Sequence, residues 1–177
     1  AQIALEFASK TKNMNRAQLK NCLTQLHELP DIMQQVFLLE DKIKEIALQI
    51  KGAHNIIYVG RGTGYPAALE GALKFKEISY IHAEGIAAGE LKHGHIALID
   101  EKMPVIVIAP HNEGFAKVAS NVQEICARRG YVVSFTDLYG EHDLRGMSKH
   151  LIKLPATNDL TAPIVYSIPL QMLAYHA

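Results

Sequence analysis

The sequence predicts an open α/β fold: a parallel sheet with helices on both faces, preceded by N-terminal helices. Three observations carry this prediction. Continuous apolar runs occur at 55–60, 104–109 and 131–135, helical segments separate them, and the first fifty residues hold an apolar stripe of helical period. Strands covered on both faces read as unbroken apolar runs, and alternation of strand with helix is the pattern of parallel sheets closed by right-handed crossovers.

The elements follow in order. Residues 1–50 read as a helical lead-in. Leu19, Cys22, Leu23 and Leu26 recur at helical spacing, Asn15 suits an N-cap, and Pro30 is expected to end that segment. Ile32, Val36, Leu39, Ile43, Ile46 and Ile50 continue one stripe on a further helix. The α/β core then runs over 51–177, giving one domain across 1–177. Its first strand, 55–60, leads into a helix from Pro66 to Ser79, with proline at a first-turn position. The strand at 104–109 leads into a helix from Phe115 to Arg129, closed by Gly130 as its cap. The strand at 131–135 is followed by a polar stretch, Asp137 to Met147, expected to be a mobile loop. A short strand from His150 to Leu154 and a helix from Ile164 to Ala177 complete the chain.

The 177 residues suffice for one domain that buries about 70% of its chain surface. Eighteen basic and 18 acidic side chains cancel, which removes the long-range attraction used by nucleic-acid and anionic-membrane binders. Cys22 and Cys126 form no metal or redox motif and read as free thiols in a reducing compartment. No apolar run approaches a membrane span and no leader pattern is present, so a cytoplasmic location is expected. The chain opens inside a helical pattern, as if cut from a longer polypeptide.

In sheets of this kind ligands bind at the carboxyl ends of the strands, here 60–65, 109–114 and 136–140. The loop Gly60-Arg61-Gly62-Thr63-Gly64 enters a helix and could cradle an anion; a tight turn requiring glycine explains it equally well. The partial G-x-G-x-x-A match lacks an acidic residue at the end of a second strand, which the reading places at Ala109. The loop Ala109-Pro110-His111-Asn112-Glu113-Gly114 offers no hydroxyl and sets Glu113 where an anion would sit, so it is not read as a phosphate site.

Glu70, Lys74 and Glu77 lie four and three residues apart and therefore share one helix face. A solvated salt-bridge ladder is the plain reading, worth a few tenths of a kcal/mol per pair. Against it stands the run of titratable groups that follows: Tyr80, His82, Glu84, Glu90, Lys92, His93 and His95, interrupted by glycines. A carboxylate beside an ammonium, together with a histidine, suits proton transfer on a sugar. The histidines do not complete a zinc signature, because H-x-E needs a later P-C-x-x-C. Neither a metal nor a cofactor is predicted.

At these residues the chain resembles a known family. Gly60-Arg61-Gly62, Tyr65-Pro66, Ala68 to Lys74, Lys76 to Glu84 and Ala88 to Gly94 look like the second sugar-isomerase (SIS) domain of the glutamine:fructose-6-phosphate aminotransferases. The resemblance continues through 103–107 and 162–164 to 169–171 and 173–176, nearly the whole chain.

The resemblance implies an SIS-type three-layer fold and a parent enzyme that opens, aminates and isomerises fructose 6-phosphate. Its partners would be a glutaminase domain that releases ammonia and a first SIS domain, within a homodimer. Glu77 matches the family's isomerisation base, Lys74 a lysine that assists it, and His93 the histidine credited with ring opening, which reaches a neighbouring subunit's site. The family holds the substrate's phosphate mainly on a Ser/Thr-rich loop of the first SIS domain, and a C-terminal tail lysine contacts the open-chain sugar; this chain has neither. The family's usual His-Gly-Pro reads His93-Gly94-His95 here, which is expected to loosen that loop. The fragment alone is therefore expected to be inactive. The alternative is a non-catalytic SIS-type module that binds sugar phosphates or dimerises; a distinct aldose/ketose isomerase is disfavoured by the 69–94 block.

Overall fold

The computed structural model describes all residues, 1–177. Helices α1 (Gln2–Lys10), α2 (Arg16–Phe37) and α3 (Glu40–Ile50) precede the sheet. Strand β1 (Asn55–Gly60), helix α4 (Gly64–Ser79), strand β2 (His82–Ala87) and strand β3 (Pro104–Ala109) follow. Helix α5 (Phe115–Ala127), strand β4 (Tyr131–Thr136), helix α6 (Leu138–Leu144), strand β5 (His150–Lys153) and helix α7 (Ala162–His176) complete the fold. The five strands pair in the order β2-β1-β3-β4-β5, all parallel.

The period-2 alternation of the strands divides the interior into two layers. Ile56, Tyr58, Ile106, Ile108, Val133 and Phe135 face a core of 25 buried residues completed by α3, α4 and α7. Ile57, Val59, Val105, Val107 and Val132 face a smaller one of 16, closed by α5, Leu144 and the segment around Leu91 and Ile99. The larger core thus lies on the side of the N-terminal helices, and α7 is its central helix.

Several local expectations change. The capping box at Asn15 is present, its side chain accepting from Gln18 N while Gln18 caps Asn15 N, each at 2.9 Å. Pro30, however, does not end the helix: α2 runs on to Phe37. Proline costs a helix interior about 3 kcal/mol, and here Leu29 before it and Ile32 and Met33 beyond it pack against the main core, which the fully buried Val36 enters. The stripe read as one further helix is shared between α2 and α3, with a break at Leu38–Leu39.

Residues 82–87, read as part of a crossover, form the edge strand β2, so the second strand in chain order ends at Ala87 rather than Ala109. No acidic residue stands at that end either. Asp137 to Met147 is not a loop throughout. Asp137 caps α6 by accepting from Tyr139 N and Gly140 N at 3.0 and 3.1 Å, and Leu144 anchors the helix in the core. The cap after α5 also differs: Arg129, at φ 59°, is the left-handed residue. Gly130 is required for closeness, since a Cβ there would stand 2.5 Å from Ile125 Cγ2 and 2.7 Å from Ile99 Cγ2.

Cys22 and Cys126 are free thiols, each only partly buried. Cys126 Sγ donates to the Met147 carbonyl at 2.9 Å, and burial pushes its pKa up. No helix is long and apolar enough to cross a membrane.

Candidate active site

Helix α4 begins where β1 ends and runs back antiparallel to the strands. Its last turn therefore lies at the rim where β1 and β2 begin. Small residues on its inner face, Ala67, Ala68, Gly71 and Ala72, let it sit close to the sheet and α7. Phe75 extends that face. The opposite face is left to the polar residues. Lys74 Nζ donates to Glu77 Oε2 at 2.7 Å and stands 3.9 Å from Glu70 Oε1, so the three do form one constellation.

Lys74 is held above the usual lysine range, first by the hydrogen bond to Glu77, against partial desolvation, with the charges of Glu77 and Glu70 adding to it. It stays an ammonium at neutral pH and donates to Glu77, which accepts the hydrogen bond. The Glu77 side chain is 52% exposed. Leu69 and Leu73, 43% and 42% exposed, share this outer face.

A cleft of about 410 Å³ opens at the same rim, lined by His54, His82, Glu84, Asp100 and Lys102 among others, but neither Lys74 nor Glu77 enters its lining. His82 and Glu84 share a strand face as their spacing requires. Glu84 Oε1 is 3.6 Å from His95 Nε2, and no group of three or more His, Cys, Asp or Glu side chains is placed to hold a metal. His95 occupies the first position of a short 3-10 turn, His95–Leu98.

His93 stands elsewhere. It follows β2 and a 3-10 turn, Ala88–Glu90, on a segment that turns back along the sheet, since Lys92 reaches Glu124 in the last turn of α5 and His95 lies 3.6 Å from Glu84 of β2. Lys74 and Glu77 are in contact, whereas no hydrogen bond or ion pair joins His93 to either of them. Nor do Lys74 and Glu77 lie at the carboxyl ends of the strands, where the fold class placed the ligand.

That rim carries a polar cluster that sequence spacing did not reveal. Asn112 Nδ2 donates to Asp159 Oδ1 at 3.0 Å, and Thr63 Oγ1 donates to the same oxygen at 3.2 Å. Two donors of the Ala109–Gly114 loop are already used: His111 N donates to Asp137 Oδ2, the cap of α6, and Gly114 N to Asn112 Oδ1 within the loop, both at 3.0 Å. In the first loop Gly62 adopts φ 54°, as the tight turn requires. Glu90 is a second residue the reading left without a role: its Oε2 lies 2.8 Å from His93 Nδ1. The i,i+3 spacing was the available signal.

Comparison with known proteins agrees with this architecture. Over 177 residues, all of it, the chain is 49% identical to the glutamine–fructose-6-phosphate aminotransferase (isomerizing) of Mesorhizobium japonicum (strain LMG 29417 / CECT 9101 / MAFF 303099), covering 29% of that protein. It is 53% identical over 152 residues, 85% of the chain, to the protein of the same name from Rhizobium meliloti (strain 1021), covering 25% of it. The chain thus spans between a quarter and a third of the length of these curated relatives. The solved C-terminal domain of glucosamine-fructose-6-phosphate aminotransferase from Francisella tularensis superposes with a TM-score of 0.92 at 36% identity, over 98% of this chain and 49% of that one. Residues 49–177 match the SIS domain. On that match, which takes in all five strands and the Lys74–Glu77 pair, the chain belongs to the SIS domain family.

Proposed function

We propose that residues 1–177 are one SIS domain, with 1–50 as its helical lead-in, and form part of the isomerase portion of an enzyme that makes glucosamine 6-phosphate. The substrates would be fructose 6-phosphate and glutamine-derived ammonia. The observation that carries this reading is the Lys74–Glu77 contact on the outer face of α4, in a chain aligned along its full length with aminotransferases of that name.

In this reading Glu77 takes a proton from C1 of the aminated, open-chain sugar and returns it at C2, through an enolamine. Lys74 stays protonated and holds the carboxylate in position. His93 opens the sugar ring by moving a proton at the ring oxygen. Because no contact within the chain joins His93 to that pair, we assign it to the site of a second subunit in a homodimer. The exposed Leu69 and Leu73 beside the pair support a wall supplied by another surface, such as a first SIS domain, with a glutaminase domain supplying ammonia. No metal or cofactor takes part, and the reaction is cytoplasmic.

Glu77→Gln in a full-length protein carrying this domain tests the reading, since loss of a general base costs on the order of 10²–10⁴ in rate. The expected result is fructose 6-phosphate binding retained with turnover reduced by that factor. Unchanged turnover favours a non-catalytic sugar-phosphate module instead. The 177-residue chain alone is expected to convert no fructose 6-phosphate to glucose 6-phosphate, and measurable conversion would refute that expectation.

A further inference from the structure

We propose that Glu90 is a positioning residue for His93: by accepting its Nδ1–H it fixes the ring's tautomer and direction, leaving Nε2 as the nitrogen that meets the sugar. This rests on the reading of His93 as the group that opens the ring.

The contact is direct, Glu90 Oε2 to His93 Nδ1 at 2.8 Å. A carboxylate only accepts, so the hydrogen of a neutral ring sits on Nδ1 and the lone pair on Nε2. Nε2 has no hydrogen-bond partner within the chain, and the His93 side chain is 71% exposed, so that nitrogen is open to an incoming molecule.

The backbone holds both residues where this bond needs them. His93 N donates to Glu90 O at 2.9 Å, so the two side chains leave one tight turn. The turn is pinned on three sides. Leu91 is fully buried in the smaller core, Lys92 Nζ reaches Glu124 Oε1 on α5 at 2.8 Å, and Ile96 N donates to Leu91 O at 2.8 Å. Gly94, at φ 128°, releases the chain beyond His93. His93 is thus carried on a fastened turn, and the freedom that remains is rotation of its own ring. Glu90 is the group that removes it.

For an exposed bond to a charged acceptor the effect on the tautomer is modest, roughly three- to tenfold. Nitrogen-15 NMR of the histidine-labelled 177-residue chain, at a pH where His93 is neutral, reads it directly. We expect the Nδ1–H form to dominate in the wild-type chain. Glu90→Ala should return the ring toward the Nε2–H form, while Glu90→Gln, whose amide oxygen still accepts, should stay between them. Identical tautomer populations in the wild-type and Glu90→Ala chains would overturn the proposal. Glu90 is itself exposed, so neither variant removes core packing.

In a full-length protein, Glu90→Ala should lower kcat about three- to tenfold with the KM for fructose 6-phosphate kept, and Glu90→Gln should recover part of it. An equal fall for both variants, or a change confined to KM, contradicts a tautomer-setting role. His93→Asn separates this inference from the one beneath it. Unchanged turnover in that variant ends the ring-opening role, and with it the catalytic meaning of the contact, whatever the NMR finds for Glu90.

Discussion

His150 illustrates how a single side chain can tie stability to pH. Its Nε2 lies 2.8 Å from the Tyr131 hydroxyl and 3.0 Å from Gln49 Oε1, where α3 meets the starts of β4 and β5. Burial holds its pKa below the ordinary imidazole value, with Glu45 opposing and Lys149 and Lys42 adding to the effect. The folded state therefore favours the neutral ring. The associated stability is complete above the unfolded value of about 6.5 and is lost as pH falls from there through the lower folded value. Urea midpoints measured from pH 7.5 to 5 should fall more steeply for the wild type than for His150→Gln; parallel curves would show that the ring contributes nothing. At this scale the sequence was legible wherever partners lie within one turn. Glu70, Lys74 and Glu77 could be placed together from spacing alone, and the same rule could have paired Glu90 with His93. The Thr63–Asn112–Asp159 cluster could not be found that way, because its members stand 47 and 96 residues apart and only the sheet order brings them together.

At the scale of elements, strong apolar periodicity was legible and compensated exceptions were not. The strands β1, β3 and β4 announce themselves because both faces are buried. β2 does not: it is an edge strand, its His82 and Glu84 remain exposed, and only Ala83 and Ile86 enter the core. Pro30 misled for a related reason. A proline stops a helix unless tertiary packing outweighs the lost hydrogen bond, and that packing comes from α7, more than a hundred residues away. Substitution should expose the balance. Pro30→Ala recovers about 3 kcal/mol of helix propensity and gives back about 1 through a looser unfolded chain, so a gain of roughly 2 kcal/mol is expected. Chemical denaturation measures it, and no gain would mean that Pro30 costs this helix far less than an interior proline ordinarily does.

Across the whole molecule, the division of the proposed site between Glu77 of one subunit and His93 of another has a direct test. If each complete site takes its base from one subunit and its histidine from another, two inactive variants can repair each other. Full-length Glu77→Gln and His93→Asn proteins, each impaired alone, should regain activity when co-refolded, because a mixed dimer then holds one intact site beside one doubly damaged one. Co-refolded mixtures no more active than the separate variants would mean that both groups serve the same chain.

The position of α7 carries one more consequence. Its Val165, Leu170, Leu173 and Ala174 fill the middle of the larger core, and His176 Nε2 reaches back to Glu40 Oε1 at 3.0 Å. Translation delivers this helix after every strand has been made. Until it leaves the ribosome, the side of the nascent sheet that α3 and α4 cover only in part stays greasy, so a chaperone that shields such surfaces would find its window of action during synthesis and lose it when the helix docks.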